Sequence, residues 1–192
     1  MAKKKSNEIN FKRSLKVLKE NKTFILAAGF LLIGTAIIGW IYPNLFAAEQ
    51  EKIMEYLKSF ALKKTFLELM PAIILNNLRA SFFAMVLGIA FGIFPIIAAT
   101  VNGYIVGAVM RKAYELTGVQ ILFFIIPHGI FEIPALVISM GLGIKLGLWV
   151  LEKKKKAYLK KCFFDFASVY IFIIMPLLLI AGVVEASLIF FK

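Results

Sequence analysis

The sequence predicts an all-α membrane protein, a polytopic bundle of about five transmembrane helices. Of its 192 residues, 61% are hydrophobic and the mean hydropathy is +0.86, which exceeds what a soluble domain of this size can bury. Apolar stretches recur that are long enough to cross about 30 Å of hydrocarbon. The net charge of +12 is concentrated in two segments, a pattern typical of topology signals.

The chain opens with a basic arm, residues 1–22, which carries eight lysines and arginines against Glu8 and Glu20. Apolar residues at near-helical spacing predict an amphipathic helix on the cytoplasmic membrane surface; these are Ile9, Phe11, Leu15 and Leu18. A solvated tail is the alternative. The first span follows at 23–42, is uncharged, and ends at Trp40 and Tyr42, aromatic residues typical of a membrane interface.

The next segment, 47–70, balances four acidic residues with four lysines and predicts an amphipathic helix on the outer surface. An apolar region then predicts two spans, 72–94 and 97–113, with a tight turn near 95–102. Two pairs of glycines spaced by four, Gly88 with Gly92 and Gly103 with Gly107, predict close helix packing inside the bundle.

The fourth span, 119–151, has more than thirty residues for a single crossing. Pro127 and Pro134 predict that it is broken there. A basic cytoplasmic loop, 152–165, and a last span, 166–191, complete the transmembrane domain of 23–192. With five spans, the N-terminus inside and the C-terminus outside, both basic segments lie in the cytoplasm.

The predicted spans contain polar residues whose transfer into the hydrocarbon core of a membrane costs free energy. Because such side chains facing lipid are expensive, we expect them to converge in one polar pocket inside the bundle. The set comprises Asn76, Asn77, Arg79, Asn102, His128, Glu132 and Glu185. His128, the only histidine, and Glu132 are four residues apart, so they share a helix face.

Three interpretations of this pocket stay open. In the first, His128, Glu132 and Glu185 bind a divalent metal such as zinc, because one imidazole and two carboxylates suit zinc or iron with an open position. In the second, the same groups carry protons or ions across the membrane. In the third, Glu132 pairs with Arg79 and the other polar groups are structural bonds between helices.

The composition also indicates partners. The basic segments predict contact with the lipid bilayer and with anionic lipid headgroups, and not with nucleic acid, for which basic charge alone is a weak signal. Cys162 is the only cysteine, which excludes an intrachain disulfide and a cysteine-based zinc cluster. We expect a homo-oligomer in the cell membrane.

The polar residues stand in an order that resembles the stage II sporulation protein M (SpoIIM) family. The order is Asn76-Asn77-x-Arg79-Ala80, Asn102-Gly103-x-x-x-Gly107, 127–135 (PHGIFEIPA) and Glu185 in the last span. The resemblance covers most of the chain after the first span and includes the five-span layout. It implies that Asn77, Asn102, His128, Glu132 and Glu185 are the family's polar set.

The resemblance implies a function more than a mechanism. The bacterial sporulation member is a membrane partner and localiser of a cell-wall-degrading complex, whereas many relatives, archaeal ones included, have no assigned activity. We therefore expect a membrane scaffold or interaction protein, with membrane or cell-envelope partners, whose pocket binds an ion or a small polar ligand. A metal-dependent intramembrane hydrolase using His128, Glu132 and Glu185 is the first alternative, and a small transporter is the second.

Overall fold

The computed structural model describes residues 8–46 and 65–190; within them, the side chains at 121–125 and 128 are not described. The described chain is helical and contains no strand. The described helices are α1 (Phe11–Glu20), α2 (Lys22–Ile41), α3 (Phe66–Val86), α4 (Ile93–Thr117), α5 (Leu122–Gly147), α6 (Lys155–Val169) and α7 (Met175–Phe190). Short 3-10 segments at 87–89, 118–121 and 148–151 follow α3, α4 and α5, and a π-helical segment, Tyr170–Ile174, joins α6 to α7.

Five helical stretches of the described chain are long and apolar enough to cross a membrane. These are Lys22–Ile41, Phe66–Ile89, Ile93–Gln120, Gly129–Leu151 and Lys155–Phe190. Helices suit a bilayer because every backbone N–H and C=O is satisfied within the segment. The predicted class, an all-α multi-pass membrane bundle with five spans, is confirmed, and the chain therefore contacts lipid.

The connection between the second and third spans lies earlier than predicted. The chain turns at 87–92, where Phe91 and Gly92 have left-handed φ values of 58° and 73°. Pro95, which was expected to mark the turn, is instead the third residue of α4. Proline is tolerated there because the first N–H groups of a helix have no partner within the helix.

The predicted outer helix, 47–70, is only partly within the described residues. Residues 47–64 lie outside them. Phe66–Met70 form the first turns of α3, so this part belongs to the second span. Thr65 begins the helix: its backbone N–H donates a hydrogen bond of 2.9 Å to the Glu68 carboxylate, a capping box.

The predicted break in the fourth span is not present. Pro127 and Pro134 both lie inside α5, which runs continuously from Leu122 to Gly147. Each proline removes one backbone hydrogen bond, but neighbouring helices and local adjustment compensate for this in membrane helices. The excess length of this span is therefore one long helix followed by a 3-10 turn at 148–151.

The second basic segment is mostly helical, although a loop was predicted for 152–165. Only 152–154 precede α6, whose first turns carry the lysines. The π-helical segment that follows gives the helix a widened turn just before Pro176. The side chain of Tyr170, at the start of this segment, donates a 2.7 Å hydrogen bond to the carbonyl oxygen of Leu78 in α3.

Helix α5 is the central element, since it packs against α2, α3, α4 and α7. Contacts at glycines show the relative directions of these helices. Gly29 lies beside Val137 and Gly141 beside Ile25, so α2 and α5 are antiparallel. Gly103 and Gly107 lie against Leu32 and Ala36, so α2 and α4 are parallel.

One end of the bundle, here called the basic end, carries α1 and the lysines of α6. Arg13 of α1 forms a 2.7 Å ion pair with Asp165 of α6, and both side chains are largely buried, 14% and 12% exposed. The Arg13 guanidinium also lies 5.8 Å from the ring centroid of Phe164. Charge-assisted bonds of this kind are stronger than neutral ones, so they fix α1 against the transmembrane domain.

Candidate functional site

Helices α3, α4 and α5 are held tightly together near the basic end by glycines. A Cβ atom at Gly88 would overlap the carbonyl group of Gly143, and one at Gly147 would overlap the backbone of Gly92. The indole N–H of Trp149 donates a 2.7 Å hydrogen bond to the carbonyl oxygen of Ile89. Backbones can approach this closely only where no side chain intervenes.

Away from this junction, α3 and α4 separate. They make few contacts with one another, whereas each packs on α5, which lies between them. An apolar cluster fills the first turns beyond the junction: Ala28 and Leu32 of α2, Ala84 of α3, Ala99 of α4, and Met140 with Leu136 of α5. Residues one or two turns further along these faces point the same way around their own helices as the residues of this cluster.

Three of the predicted polar residues occupy such positions. Asn77 precedes Ala84 by seven residues, Asn102 follows Ala99 by three, and Glu132 precedes Leu136 by four. Residues at these spacings share a helix face. We use the name polar cleft for these three residues, Asn77, Asn102 and Glu132, whose positions follow from helical spacing.

The remaining two members of the family's polar set lie further from the basic end. Gly182 of α7 lies against Ile74 of the antiparallel α3, which places Glu185 level with residue 71. The contacts of Gly143 with Ala84 and Gly88 place His128 of the parallel α5 at about the same level. At 1.5 Å per residue, Asn102, Asn77, Glu132, His128 and Glu185 are spread over about 12 Å along the helix axes.

Asn77 is the most unusual member of the cleft. The residue is 8% exposed, and its Nδ2 atom is buried without a hydrogen-bond partner among the described residues. Its Oδ1 atom accepts only a long hydrogen bond, 3.5 Å, from Nδ2 of Asn76. A buried amide left unsatisfied costs about 1–3 kcal/mol, so this atom needs an explanation.

Asn76, Arg79 and Asn102 are exposed in the single chain, although a pocket inside the bundle was predicted for all of them. Asn102 donates a 2.7 Å hydrogen bond from Nδ2 to the Ala98 carbonyl of its own helix. Arg79 is two residues from Asn77, so it lies about 200° around α3. It therefore faces away from α5 and does not form the predicted ion pair with Glu132.

The predicted metal set is only partly described. Glu132 and Glu185 are half-buried, in α5 and α7 respectively, while the side chain of His128 is not described. Among the side chains that the structure describes, no three His, Cys, Asp or Glu residues are close enough together to hold a metal ion. Binding of zinc by His128, Glu132 and Glu185 stays a prediction.

Two buried serines on the same helix faces were not among the residues predicted for the site. Ser81 follows Asn77 by four residues, and Ser139 follows Glu132 by seven. Both are fully buried, and their hydroxyl groups donate to the carbonyl oxygens of Leu78 at 2.9 Å and Ala135 at 2.8 Å. Their helical spacing from Asn77 and Glu132 was the available signal. Because both hydroxyls are satisfied, these serines serve packing and leave the amide of Asn77 as the unsatisfied group.

Known proteins resemble this chain over most of its length. A family model described as stage II sporulation protein M matches residues 27–188. An uncharacterized protein of Methanocaldococcus jannaschii is 35% identical over 122 residues, which cover 60% of this chain and 67% of that protein. A second uncharacterized protein of that organism is 30% identical over 145 residues, 73% of this chain and 64% of its own length.

The chain thus spans about two thirds of the length of the relatives that it matches. No solved structure matches it. The family match overlaps all five spans and includes every residue of the polar cleft. Together with the order of the polar residues along the spans, this match shows that the chain belongs to the stage II sporulation protein M family.

Proposed function

We propose that this member of the family is a membrane scaffold whose polar cleft binds an ion or a small polar ligand. The observation that carries the proposal is the buried Nδ2 atom of Asn77, which has no hydrogen-bond partner among the described residues. A ligand that accepts a hydrogen bond would satisfy it. Glu132 and Asn102, on the facing helices, supply further oxygen and nitrogen atoms for such a ligand.

Zinc with a bound water is the ligand we propose to test first, because the cation itself cannot accept a hydrogen bond from Nδ2 of Asn77 whereas the oxygen of its water can. Purified wild-type protein loaded with zinc is expected to retain about one ion per chain, because one imidazole and two carboxylates leave an open position on a tetrahedral metal. His128→Ala and Glu132→Gln should each lose the ion. Metal content measured by mass spectrometry after removal of free zinc checks this expectation.

The control for the zinc experiment is Glu115→Gln. Glu115 is an exposed carboxylate near the end of α4, far from the cleft, and its Oε1 atom accepts a 2.6 Å hydrogen bond from Nε of Arg111. Its substitution should leave the zinc content unchanged. Equal zinc content in all variants, or none in the wild type, would exclude zinc as the ligand and with it the metal-dependent hydrolase.

Transport is the second candidate function, and the spread of the polar residues favours it. Five polar residues distributed over about 12 Å of membrane depth suit a path for an ion better than a single shell of ligands. In proteoliposomes, a proton flux that Glu132→Gln abolishes, while Glu115→Gln does not, would support this role. A flux that is no greater than in protein-free liposomes would exclude proton transport.

The orientation belongs to the same proposal. Both basic segments lie at the basic end of the bundle, where Arg13 pairs with Asp165 and Lys161 lies 3.9 Å from Glu20. By the positive-inside rule this end is cytoplasmic, with the N-terminus inside and the C-terminus outside. The lysines of α1 and α6 would then contact anionic lipid headgroups of the cell membrane. Self-association of the chain stays a prediction.

A further inference from the structure

Arg79 stands in the middle of an apolar surface on the outside of the bundle. This surface, here called the Arg79 face, lies on the side of α3 opposite Asn77. Besides Arg79 it presents Leu75, Phe82, Phe83 and Val86, which are 46%, 43%, 52% and 38% exposed, and the exposed amide of Asn76. These spacings put all six residues on the outer half of one helix. The face therefore looks out of the single chain, towards lipid or towards another protein.

The depth of Arg79 in the membrane makes lipid an unfavourable neighbour. The span Phe66–Ile89 places Arg79 thirteen residues after its start and ten before its end. At 1.5 Å per residue these are about 20 and 15 Å, near the middle of a hydrocarbon core of about 30 Å. A long side chain can snorkel only near the end of a helix, so the charge stays at a costly depth.

The described part of the chain does not neutralise this charge. Within the described part of the chain, none of the ion pairs involves Arg79. The acid of α3 on the same side is Glu68, eleven residues away, or about 16 Å along the helix. Arg79 is thus a cation at membrane depth without an ion-pair partner among the described residues, so it requires a partner from outside them.

A second copy of the chain does not fit this requirement. A two-fold dimer through this face would place each Arg79 next to its equivalent, because parallel helices related by such an axis meet at the same depth. Two like charges in a medium of low dielectric constant repel strongly. Anionic lipid headgroups do not fit either, since they lie at the interface.

We propose that the Arg79 face binds a transmembrane helix of another protein that carries a carboxylate at mid-membrane depth. The aromatic rings beside Arg79 favour such a helix. Phe82 packs edge to face on Phe83, at 5.8 Å, and on Tyr170 of the π-helical segment, at 5.7 Å, so a fixed apolar surface flanks the charge. Packing and one buried ion pair together provide affinity and fix the depth of the partner helix in the membrane.

Synthetic peptides provide the test. Each is a Leu/Ala helix of about 20 residues with lysines at both ends, and its central residue is Glu, Leu or Arg. Association with the labelled protein in neutral liposomes is measured by energy transfer. The wild type should bind the Glu peptide about tenfold more tightly than the Leu peptide, a difference of ~1.4 kcal/mol.

Substitutions at Arg79 make the test specific. Arg79→Leu should bind the Glu and Leu peptides equally. Arg79→Glu should bind the Arg peptide more tightly than the other two, and this binding would show that the variant is folded. Arg111→Leu is the matched control: Arg111 is an arginine near the end of α4 that already pairs with Glu115, so its loss should change nothing.

Two results would overturn the inference. The first is equal binding of the Glu and Leu peptides by the wild type. The second is self-association of the wild type without peptide that Arg79→Leu abolishes, which would assign the face to a second copy. The inference rests on the proposed scaffold role but not on the cleft, because zinc content and peptide binding are measured independently on opposite sides of α3.

Discussion

Replacing Gly107 with leucine is expected to destabilise the bundle by at least about 3 kcal/mol, the upper range for overpacking of a core. Helix α2 makes its most extensive contacts with α4, and Gly107 lies in that interface. A Cβ atom at this position would lie 2.7 Å from the carbonyl carbon and 2.9 Å from the Cα atom of Ala36, and closer still to its carbonyl oxygen. These are backbone atoms, so rotation of a side chain cannot relieve the overlap.

The effect is expected to extend beyond one contact. Gly103, one turn earlier, lies equally close to the backbone of Leu32, and Gly39 of α2 lies against Tyr104. These glycines let two parallel helices touch along about two turns, where close packing replaces the hydrophobic effect as the source of stability in a membrane. A leucine at Gly107 must therefore separate α2 from α4 along much of their length.

Gly34→Leu is the matched control for Gly107→Leu. Gly34 is a glycine of α2 whose added Cβ atom would meet nothing within 4 Å. The same substitution there should change the free energy of unfolding by less than about 1 kcal/mol, because it adds a helix former on an exposed face. Unfolding of both variants in mixed micelles measures the difference. Similar losses at the two positions would show that helix propensity, and not packing, governs the result.

The fold was predictable because a bilayer leaves few alternatives. Long apolar stretches can only be helices there, and their number follows from length and charge. The role of Gly103 and Gly107 in internal packing was also predicted correctly from spacing alone. The turn at 87–92 was not, since its position depends on Phe91 and Gly92 adopting left-handed φ and not on the more obvious Pro95.

The candidate site was only partly predictable. The polar residues were identified, but treating them as one interior pocket ignored the faces on which they lie. Asn77 and Arg79 are two residues apart, a spacing that separates their side chains by about 200° on a helix. The sequence therefore contained the evidence that both cannot enter one cleft. Which of the two faces the interior depends on tertiary packing, here that of Ser81 and Ala84 towards α5.

The unsatisfied amide of Asn77 leads to the second large effect, and its sign distinguishes two roles. If the amide is kept for a ligand, Asn77→Leu should stabilise the ligand-free protein by about 1–3 kcal/mol, because a buried polar atom without a partner is replaced by an apolar side chain of similar size. If the amide is instead a bond between helices, the same substitution should destabilise the protein by a similar amount.

Ser81→Ala is the control on the same face of α3. The hydroxyl group of Ser81 is buried but satisfied by the Leu78 carbonyl of its own helix, so its removal should lower the free energy of unfolding by no more than about 1 kcal/mol. Unfolding of wild type, Asn77→Leu and Ser81→Ala in mixed micelles without added metal gives the comparison. If Asn77→Leu raises the free energy of unfolding while Ser81→Ala leaves it unchanged, Asn77 lowers the stability of the ligand-free protein. Such a cost is typical of residues that bind a ligand. Destabilisation by Asn77→Leu alone would make the amide structural and remove the observation on which the ligand site rests.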